Sequence, residues 1–310
     1  MRTAPVLSSI RTPVLVATLI ANPRAPAITA AVLREARAAL GTGHPAHRLH
    51  GEIAADCLLD ESADAEARIA ALRSALSGQP IDVVVQPAGK GRRKRLFLAD
   101  MDSTMIGQEC IDELADYVGL KSEVAAITER AMRGEIAFEP ALRERVALLE
   151  GLPLGVVDEI LANRITLTPG GRTLVRTMRA HGAHACLVSG GFTLFTGPVA
   201  QRIGFDEHRS NRLVIEDERL AGRVEEPILG REAKLAALNE LRGRLGLSRE
   251  DTLAVGDGAN DLAMLGEAGL GVAFRAKPAV AAAAHARIDH GDLTALLYAQ
   301  GYTAAEMVEG

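Results

Sequence analysis

Short apolar runs that break on charge or glycine alternate with stretches of helical spacing, a rhythm that predicts an α/β protein. Val14 to Ile20 is β-branched and apolar and reads as a strand, Ile28 to Leu40 as a helix, Leu49 to Leu59 as a strand, Ala63 to Leu76 as a helix and Ile81 to Val85 as a strand. This unit is the size of a small domain and ends at Gln86-Pro87-Ala88-Gly89-Lys90-Gly91, whose proline, glycines and charge mark a linker. Leu96-Phe97-Leu98-Ala99 follows, a strand expected to be buried on both faces, and it stops abruptly in Asp100-Met101-Asp102-Ser103-Thr104. Glu109 to Val118, Ser122 to Met132 and Pro140 to Leu149 then read as helices, with no strand before the break at Thr168-Pro169-Gly170-Gly171. That order predicts a helical insertion between two parts of one sheet. The sheet resumes with a helix from Pro169 to about Ala180, a strand Ala185 to Val188 ending in Ser189-Gly190-Gly191, and a hairpin Leu213 to Val224 around Glu216-Asp217-Glu218. A helix Arg231 to Leu245, a strand Thr252 to Val255 ending in Gly256-Asp257-Gly258-Ala259-Asn260-Asp261, and a strand Gly271 to Phe274 complete the pattern.

A chain of 310 residues predicts more than one domain. The net charge of -5 gives no whole-chain attraction to nucleic acid or to an acidic membrane surface. The basic stretch Gly89 to Arg95 is expected to be a solvated linker rather than a nucleic-acid patch. Cys57, Cys110 and Cys186 lie far apart without a C-x-x-C, which argues against a disulfide framework or a zinc site and for buried thiols in a reducing compartment. No apolar stretch approaches the ~18 residues of a membrane span and no signal-peptide pattern is present, so a cytoplasmic protein without membrane partners is expected. His44, His47 and His50 sit among Gly41, Gly43 and Pro45, where a turn with incidental histidines is favoured over a metal site. His181 and His184 are expected at a helix C-terminus, and the tail after Gly301 carries no signal.

In an extended segment residues i and i+2 point the same way, so Asp100 and Asp102 are expected to project together from the carboxyl end of their strand. An isolated D-x-D is equally the polar end of an ordinary strand. A calcium loop is excluded, because Met105 stands where its glycine is needed and Ile111 where its glutamate is needed. In a parallel sheet the clusters at Asp100, Ser189 and Asp257 converge on one edge. Asp100 and Asp257 could there hold a hard cation, for which Mg²⁺ suits an all-oxygen donor set completed by a phosphate. Ser189 and the Gly190 amide offer donors to an anion, and Lys234 adds a positive charge. Acids, cation, hydroxyl and lysine together describe phosphoryl transfer.

Over about residues 95 to 290, Asp100-Met101-Asp102-Ser103-Thr104, Ser189-Gly190-Gly191, Lys234 and Gly256 to Asp261 stand in an order and spacing that resemble the haloacid dehalogenase-like superfamily, and within it the bacterial phosphoserine phosphatases. The resemblance implies a doubly wound, Rossmann-like parallel sheet with an inserted helical cap, and Mg²⁺-dependent hydrolysis of O-phosphoserine through an aspartyl phosphate. It implies Asp100 as nucleophile and Asp102 as general acid and base. It makes Asp100, the Asp102 backbone carbonyl and Asp257 the metal ligands, with Asp261 in support. It assigns the substrate carboxylate to Arg145, the substrate ammonium to Glu109 and a further substrate contact to Asn260.

The helical wheel bears on one of these. In Pro140 to Leu149 the apolar stripe is Leu142, Val146 and Leu149; Arg145 falls at its edge and Arg143 points away. An ion pair between Glu109 and Arg145 is the structural alternative. The expected domains are 1–88, a small α/β unit whose layout resembles an ACT-like regulatory module, 95–106 with 169–301 as the catalytic core, and 107–168 as the cap. Two rival functions remain: a related phosphatase or phosphotransferase on another small phosphomonoester, and an amino-acid-sensing protein with an inert core. Whether the chain forms a homodimer is left open.

Overall fold

The computed structural model describes residues 14–60, 62, 64–133 and 135–309. The first elements are β1 (Val14–Ala21), α1 (Ala30–Leu40), β2 (His47–His50), β3 (Ala54–Asp60), α2 (Ala65–Ala75) and β4 (Ile81–Pro87). They form an antiparallel sheet of order β2-β3-β1-β4 with both helices on one face. Thr29 begins α1 by accepting a hydrogen bond from the Val32 N–H at 3.3 Å, and Gly41, at φ 58°, ends it. The stretch Leu49 to Leu59, expected as one strand, is two, because Gly51 turns the chain at φ 40°. The helix expected from Ala63 begins, within the described residues, at Ala65; position 63 lies outside them. β1 is apolar apart from Thr18 because the sheet is covered on both faces. Leu19 and Ala17 pack under the helices, while Ile20, Val84 and Leu49 join the core of the rest of the chain.

The basic stretch after β4 is only in part the solvated linker expected: Gly89, Gly91, Arg93 and Arg95 are exposed, while Arg92 and Lys94 are packed into the protein. The Arg92 guanidinium donates to both carboxylate oxygens of Asp56 at 2.7 and 3.1 Å, to Thr18 Oγ1 at 3.0 Å and to the Ala299 carbonyl at 3.1 Å. Lys94 is buried and donates to the Gly91 and Glu250 carbonyls. A buried carboxylate and a set of loop carbonyls need cations, and this stretch supplies them. Asp82 of β4 adds a second junction, accepting from the backbone N–H groups of Asp289, His290 and Gly291. His50, in β2 rather than a turn, hydrogen-bonds the Tyr298 hydroxyl at 2.6 Å.

The rest of the chain runs β5 (Leu96–Ala99), α3 (Cys110–Tyr117), α4 (Lys121–Met132), α5 (Phe138–Ala147), α6 (Gly155–Asn163), α7 (Gly171–Ala180), β6 (His184–Phe192), α8 (Thr193–Ile203), β7 (Glu207–Asn211), β8 (Leu213–Glu216), β9 (Arg219–Val224), α9 (Arg231–Arg244), β10 (Thr252–Gly256), α10 (Leu262–Glu267), β11 (Leu270–Phe274), α11 (Pro278–Ala283), β12 (Ala286–Ile288) and α12 (Ala295–Ala299). The sheet order is β12-β11-β10-β5-β6-β7, with every pair parallel. β5 lies at its centre, all four residues fully buried: Phe97 and Ala99 face one core cluster, Leu96 and Leu98 the other. The three strands with polar ends, β6, β5 and β10, are neighbours, so their carboxyl ends meet.

Helices α3 to α6 form the inserted cap, hung on two chain segments that pair through an isolated bridge. Ile106 bridges Leu167, the Gly107 N–H donates to the Thr166 carbonyl and the Thr168 N–H to the Met105 carbonyl, each at 3.0 Å. Helix α6 had no counterpart in the sequence reading; it buries Val156, Val157, Ile160 and Leu161. The β8–β9 hairpin turns at Asp217 and Glu218, at φ 47° and 57°, as the twist of a tight hairpin requires. It follows β7 in the chain but packs on the cap: Gly151 N–H to Leu220 O at 2.8 Å, Leu220 N–H to Leu152 O at 2.9 Å, and Arg143 to Glu226 at 2.6 Å. His181 caps α7, its Nδ1 2.9 Å from the Thr177 carbonyl, but His184 belongs to β6, beside Asp206 and Glu207. The three cysteines are buried and free. Among the described residues no helix is long and apolar enough to cross a membrane, and no histidine joins a metal-type cluster.

Candidate active site

Strand β5 hands the chain directly to the site. The Asp100 N–H still pairs with the Val255 carbonyl at 3.0 Å, after which Met101 to Met105 make one wide turn closed by Ile106 N–H to Met101 O at 3.0 Å. The segment is therefore not the extended one expected from the sequence. Ser103 sits in the left-handed region at φ 54°, a strained conformation for a residue with a side chain. The turn nonetheless brings both carboxylates to one cavity.

Asp100 Oδ1 accepts from the Met101 N–H at 2.8 Å and lies 2.7 Å from Lys234 Nζ. Lys234, only 2% exposed, reaches from α9 to Asp261 Oδ1 at the same distance. Burial works against the lysine's charge, but Asp100 and Asp261 overcome it and hold the ammonium above its ordinary pKa. For Asp100 the balance is reversed. Burial first, then the charge of Asp261, push its carboxyl well above the usual range against the pull of Lys234. Asp261 is fully buried, and its other oxygen accepts from the Gly258 N–H at 3.0 Å. Gly256 has no alternative, since a Cβ there would overlap the Asp261 carboxyl. Asp257 Oδ1 accepts from Thr104 Oγ1 at 3.0 Å, and burial together with Asp261 raises its carboxyl too.

One oxygen each from Asp100, Asp257 and Asp261 can be chosen within 4.8 Å of one another. Three carboxylates against one lysine leave an excess of negative charge, and the donors are all hard oxygens, so the site fits a divalent cation such as Mg²⁺. Asp261 is the least suited as a direct ligand, because Lys234 and the Gly258 amide already occupy its two oxygens.

Asp102 accepts from the Cys110 N–H at 2.9 Å through Oδ1 and from Ser189 Oγ at 3.1 Å through Oδ2. Ser189 Oγ in turn accepts from the Gly191 N–H at 2.8 Å. A side chain at position 191 would press on both Ser189 Oγ and the Asp102 carboxylate.

A cavity of about 650 Å³ opens over this cluster, walled by Asp100, Asp102, Ser189, Gly190, Asp257 and Asn260 from the core and by Glu109, Phe138 and Arg145 from the cap. Glu109 accepts from Ser103 Oγ at 2.7 Å. Its accessible surface opens onto the cavity, where the surrounding protein limits solvation; that burial first, and the nearby Asp102 second, raise its carboxyl to about 7. Arg145 faces the same space, and burial lowers its pKa against the pull of Asp112 and Glu109. Its hydrogen-bond partners are Thr128 Oγ1 and the Ala141 carbonyl, both at 3.3 Å. Among the described residues no carboxylate lies within ion-pair distance of it, so the Glu109–Arg145 bridge is not formed. Arg143 points to solvent and pairs with Glu226.

All nine candidate residues thus lie at one place, eight on the cavity wall and Lys234 behind Asp100. The sequence reading missed Phe138, whose ring lies against Gly190 and Gly230, and Lys277, which lines the cavity near Asp257. Phe138 carried a signal: with Leu142 and Arg145 it shares one side of α5 at spacings of four and three.

Residues 97–266 match the profile of the haloacid dehalogenase-like hydrolases. Phosphoserine phosphatase SerB2 of Mycobacterium tuberculosis is 44% identical over 238 residues, 76% of this chain, and the match spans only 58% of that relative's length. Phosphoserine phosphatase of Polaromonas sp. is 49% identical over 208 residues, 66% of this chain and 88% of the relative. A solved substrate-bound phosphoserine phosphatase complex superposes with a TM-score of 0.62 at 39% identity, covering 68% of this chain and 99% of that one.

Proposed function

The chain belongs to the haloacid dehalogenase-like hydrolases, and from that premise we propose that it is a Mg²⁺-dependent phosphatase converting O-phosphoserine to serine and inorganic phosphate, the last step of serine biosynthesis in the cytoplasm. The observation that carries this reading is Arg145: a guanidinium without a carboxylate partner among the described residues, lining with Glu109 the cap wall of the cavity over the Asp100 cluster. A cavity that offers a cation, an anion and a phosphoryl-accepting carboxylate fits a small zwitterionic phosphomonoester. The proposal assigns 95–106 and 169–301 to the catalytic core, 107–168 to the cap and 1–88 to an ACT-like domain.

In the first step the Asp100 carboxylate attacks phosphorus. The bond from phosphorus to the serine oxygen breaks as the new bond to Asp100 forms, and Asp102 delivers its proton to the departing oxygen. In the second, Asp102 takes a proton from water, the water oxygen attacks phosphorus, and the bond to Asp100 breaks, restoring the carboxylate and releasing phosphate. Lys234 fixes the orientation of Asp100 and offsets its charge against the incoming phosphate dianion. Ser189 and the Gly190 amide take phosphate oxygens, Arg145 the substrate carboxylate, Glu109 its ammonium, and Asn260 a further substrate contact. Mg²⁺, held by Asp100, Asp257 and the Asp102 carbonyl with Asp261 in support, would neutralise phosphate charge.

Phosphate release tests the reading. Activity on O-phosphoserine should require Mg²⁺ and exceed, in kcat/KM, that on phosphoethanolamine or p-nitrophenyl phosphate. Equal values for all three would reassign the substrate class, and no release from any would indicate an inert core.

A further inference from the structure

Strands β6 and β7 pair in register from Cys186 opposite Glu207 to Val188 opposite Arg209, and again at Phe192 opposite Asn211. Between those points Ser189, Gly190 and Gly191 stand against Ser210 alone. The residues taken above to meet phosphate therefore form a bulge, which re-aims the strand toward the site and costs it regular ladder partners. A buried carbonyl left in such a bulge needs a donor. Asn211, the last residue of β7 and only 2% exposed, provides it: Nδ2 donates to the Gly190 carbonyl at 2.8 Å. The same side chain donates to the Leu229 carbonyl at 3.2 Å and accepts from the Leu229 N–H at 2.7 Å. Leu229 immediately precedes Gly230, the cap residue of α9, and α9 carries Lys234.

We infer that Asn211 is a positioning residue for catalysis, a side-chain amide that fixes the Gly190 peptide and locks it to the start of the lysine-bearing helix. The Gly190–Gly191 peptide unit is then held at both ends, its carbonyl by Asn211 and its N–H by Ser189 Oγ. The Gly190 N–H belongs to the preceding peptide unit, joined to this one through the Gly190 Cα, and anchoring the unit on one side of that flexible glycine limits how far the N–H can turn. One side chain thus holds in fixed relation the two groups that meet the phosphoryl oxygens and the lysine that holds the nucleophile. The inference rests on the phosphate-binding roles proposed for Ser189 and Gly190.

The test compares Mg²⁺-loaded wild type with Asn211→Asp and Asn211→Ala. The aspartate is isosteric and keeps the acceptor for Leu229 but loses both donors. Deleting an oxyanion donor outright costs about 10²- to 10³-fold, so misdirecting one should cost about 10- to 100-fold in kcat/KM. The loss should be the same factor on O-phosphoserine and on p-nitrophenyl phosphate, because both present the same phosphoryl group. Orthovanadate should bind more weakly by a similar factor. A residue that only supports the fold would lower thermal stability and leave kcat/KM and vanadate affinity per folded molecule unchanged; values within about twofold of wild type in a folded variant overturn the inference. If neither variant folds, NMR on wild type decides: the Asn211 side-chain amide and the Gly190 amide should shift together on adding orthovanadate, and an unmoved Asn211 resonance overturns it. Wild type that binds orthovanadate but releases no phosphate from O-phosphoserine removes the substrate assignment, and vanadate affinity still decides Asn211. Wild type that binds neither removes both.

Discussion

Replacing Arg145 with alanine separates recognition from support. Its contacts within the protein are with a hydroxyl and a carbonyl, both at 3.3 Å, the long end of hydrogen bonding. Losing them should cost at most about 1 kcal/mol of stability. A charge-assisted, bidentate contact to a substrate carboxylate inside a closed cap is worth more, on the order of 2 to 4 kcal/mol. That corresponds to a fall of roughly thirty- to a thousand-fold in kcat/KM for O-phosphoserine. p-Nitrophenyl phosphate has no carboxylate and never uses the contact, so its kcat/KM should change by no more than about threefold. The assay is steady-state phosphate release on both substrates, with thermal melting of the same preparations. If Arg145 instead braces α4 against α5 through Thr128, both substrates should lose activity alike and the melting temperature should fall. Equal losses refute the carboxylate clamp.

Asp100→Asn should abolish turnover yet fold normally, since burial and Asp261 already disfavour the charge that the substitution removes; melting and phosphate release check both parts. Asp102→Asn should still be phosphorylated by p-nitrophenyl phosphate, whose leaving group needs no proton, and then stall, so stopped-flow should show a burst of p-nitrophenolate equal to the enzyme present; its absence counts against Asp102 as the base for water. Glu109, raised to about 7, holds a proton more tightly folded than unfolded. Its contribution to stability therefore declines as pH rises from about 4.5 to about 7, whereas in the folded enzyme the carboxylate needed for an ammonium appears around pH 7. KM for O-phosphoserine should fall between about pH 6 and about pH 8 in wild type and not in Glu109→Gln. Arg92→Met leaves Asp56 buried without its cation, which should cost about 3 to 5 kcal/mol in denaturant unfolding while kcat/KM of the folded enzyme stays within about twofold.

The convergence of Asp100, Ser189 and Asp257 was readable because parallel strands are continuous apolar runs, and a run that stops in acids or small polar residues marks the sheet edge where ligands sit. Arg145 was readable for a similar reason: the stripe of Leu142, Val146 and Leu149 fixes the side of α5 that turns inward. What escaped depends on backbone geometry or on distant partners. Period-two alternation made Asp100 and Asp102 neighbours in a strand, whereas the chain achieves the pairing with a wide turn and a left-handed Ser103. Gly51 hid a turn inside what looked like one strand. Arg92 looked solvated because its carboxylate, Asp56, lies on another element. Asn211 is an ordinary strand-end residue until the bulge opposite it is seen.

The β8–β9 hairpin gives the cap an attachment beyond the two paired segments it hangs from. A lobe hung from a single ribbon can tilt, twist and slide. One that also grips a hairpin emerging from the sheet beside β7 is held at two separated points, which opposes tilting and sliding. Arg145 and Glu109 sit on that doubly anchored lobe, so the height of both charged groups above the acid cluster is set by the two anchors together, as a shelf is levelled by two brackets.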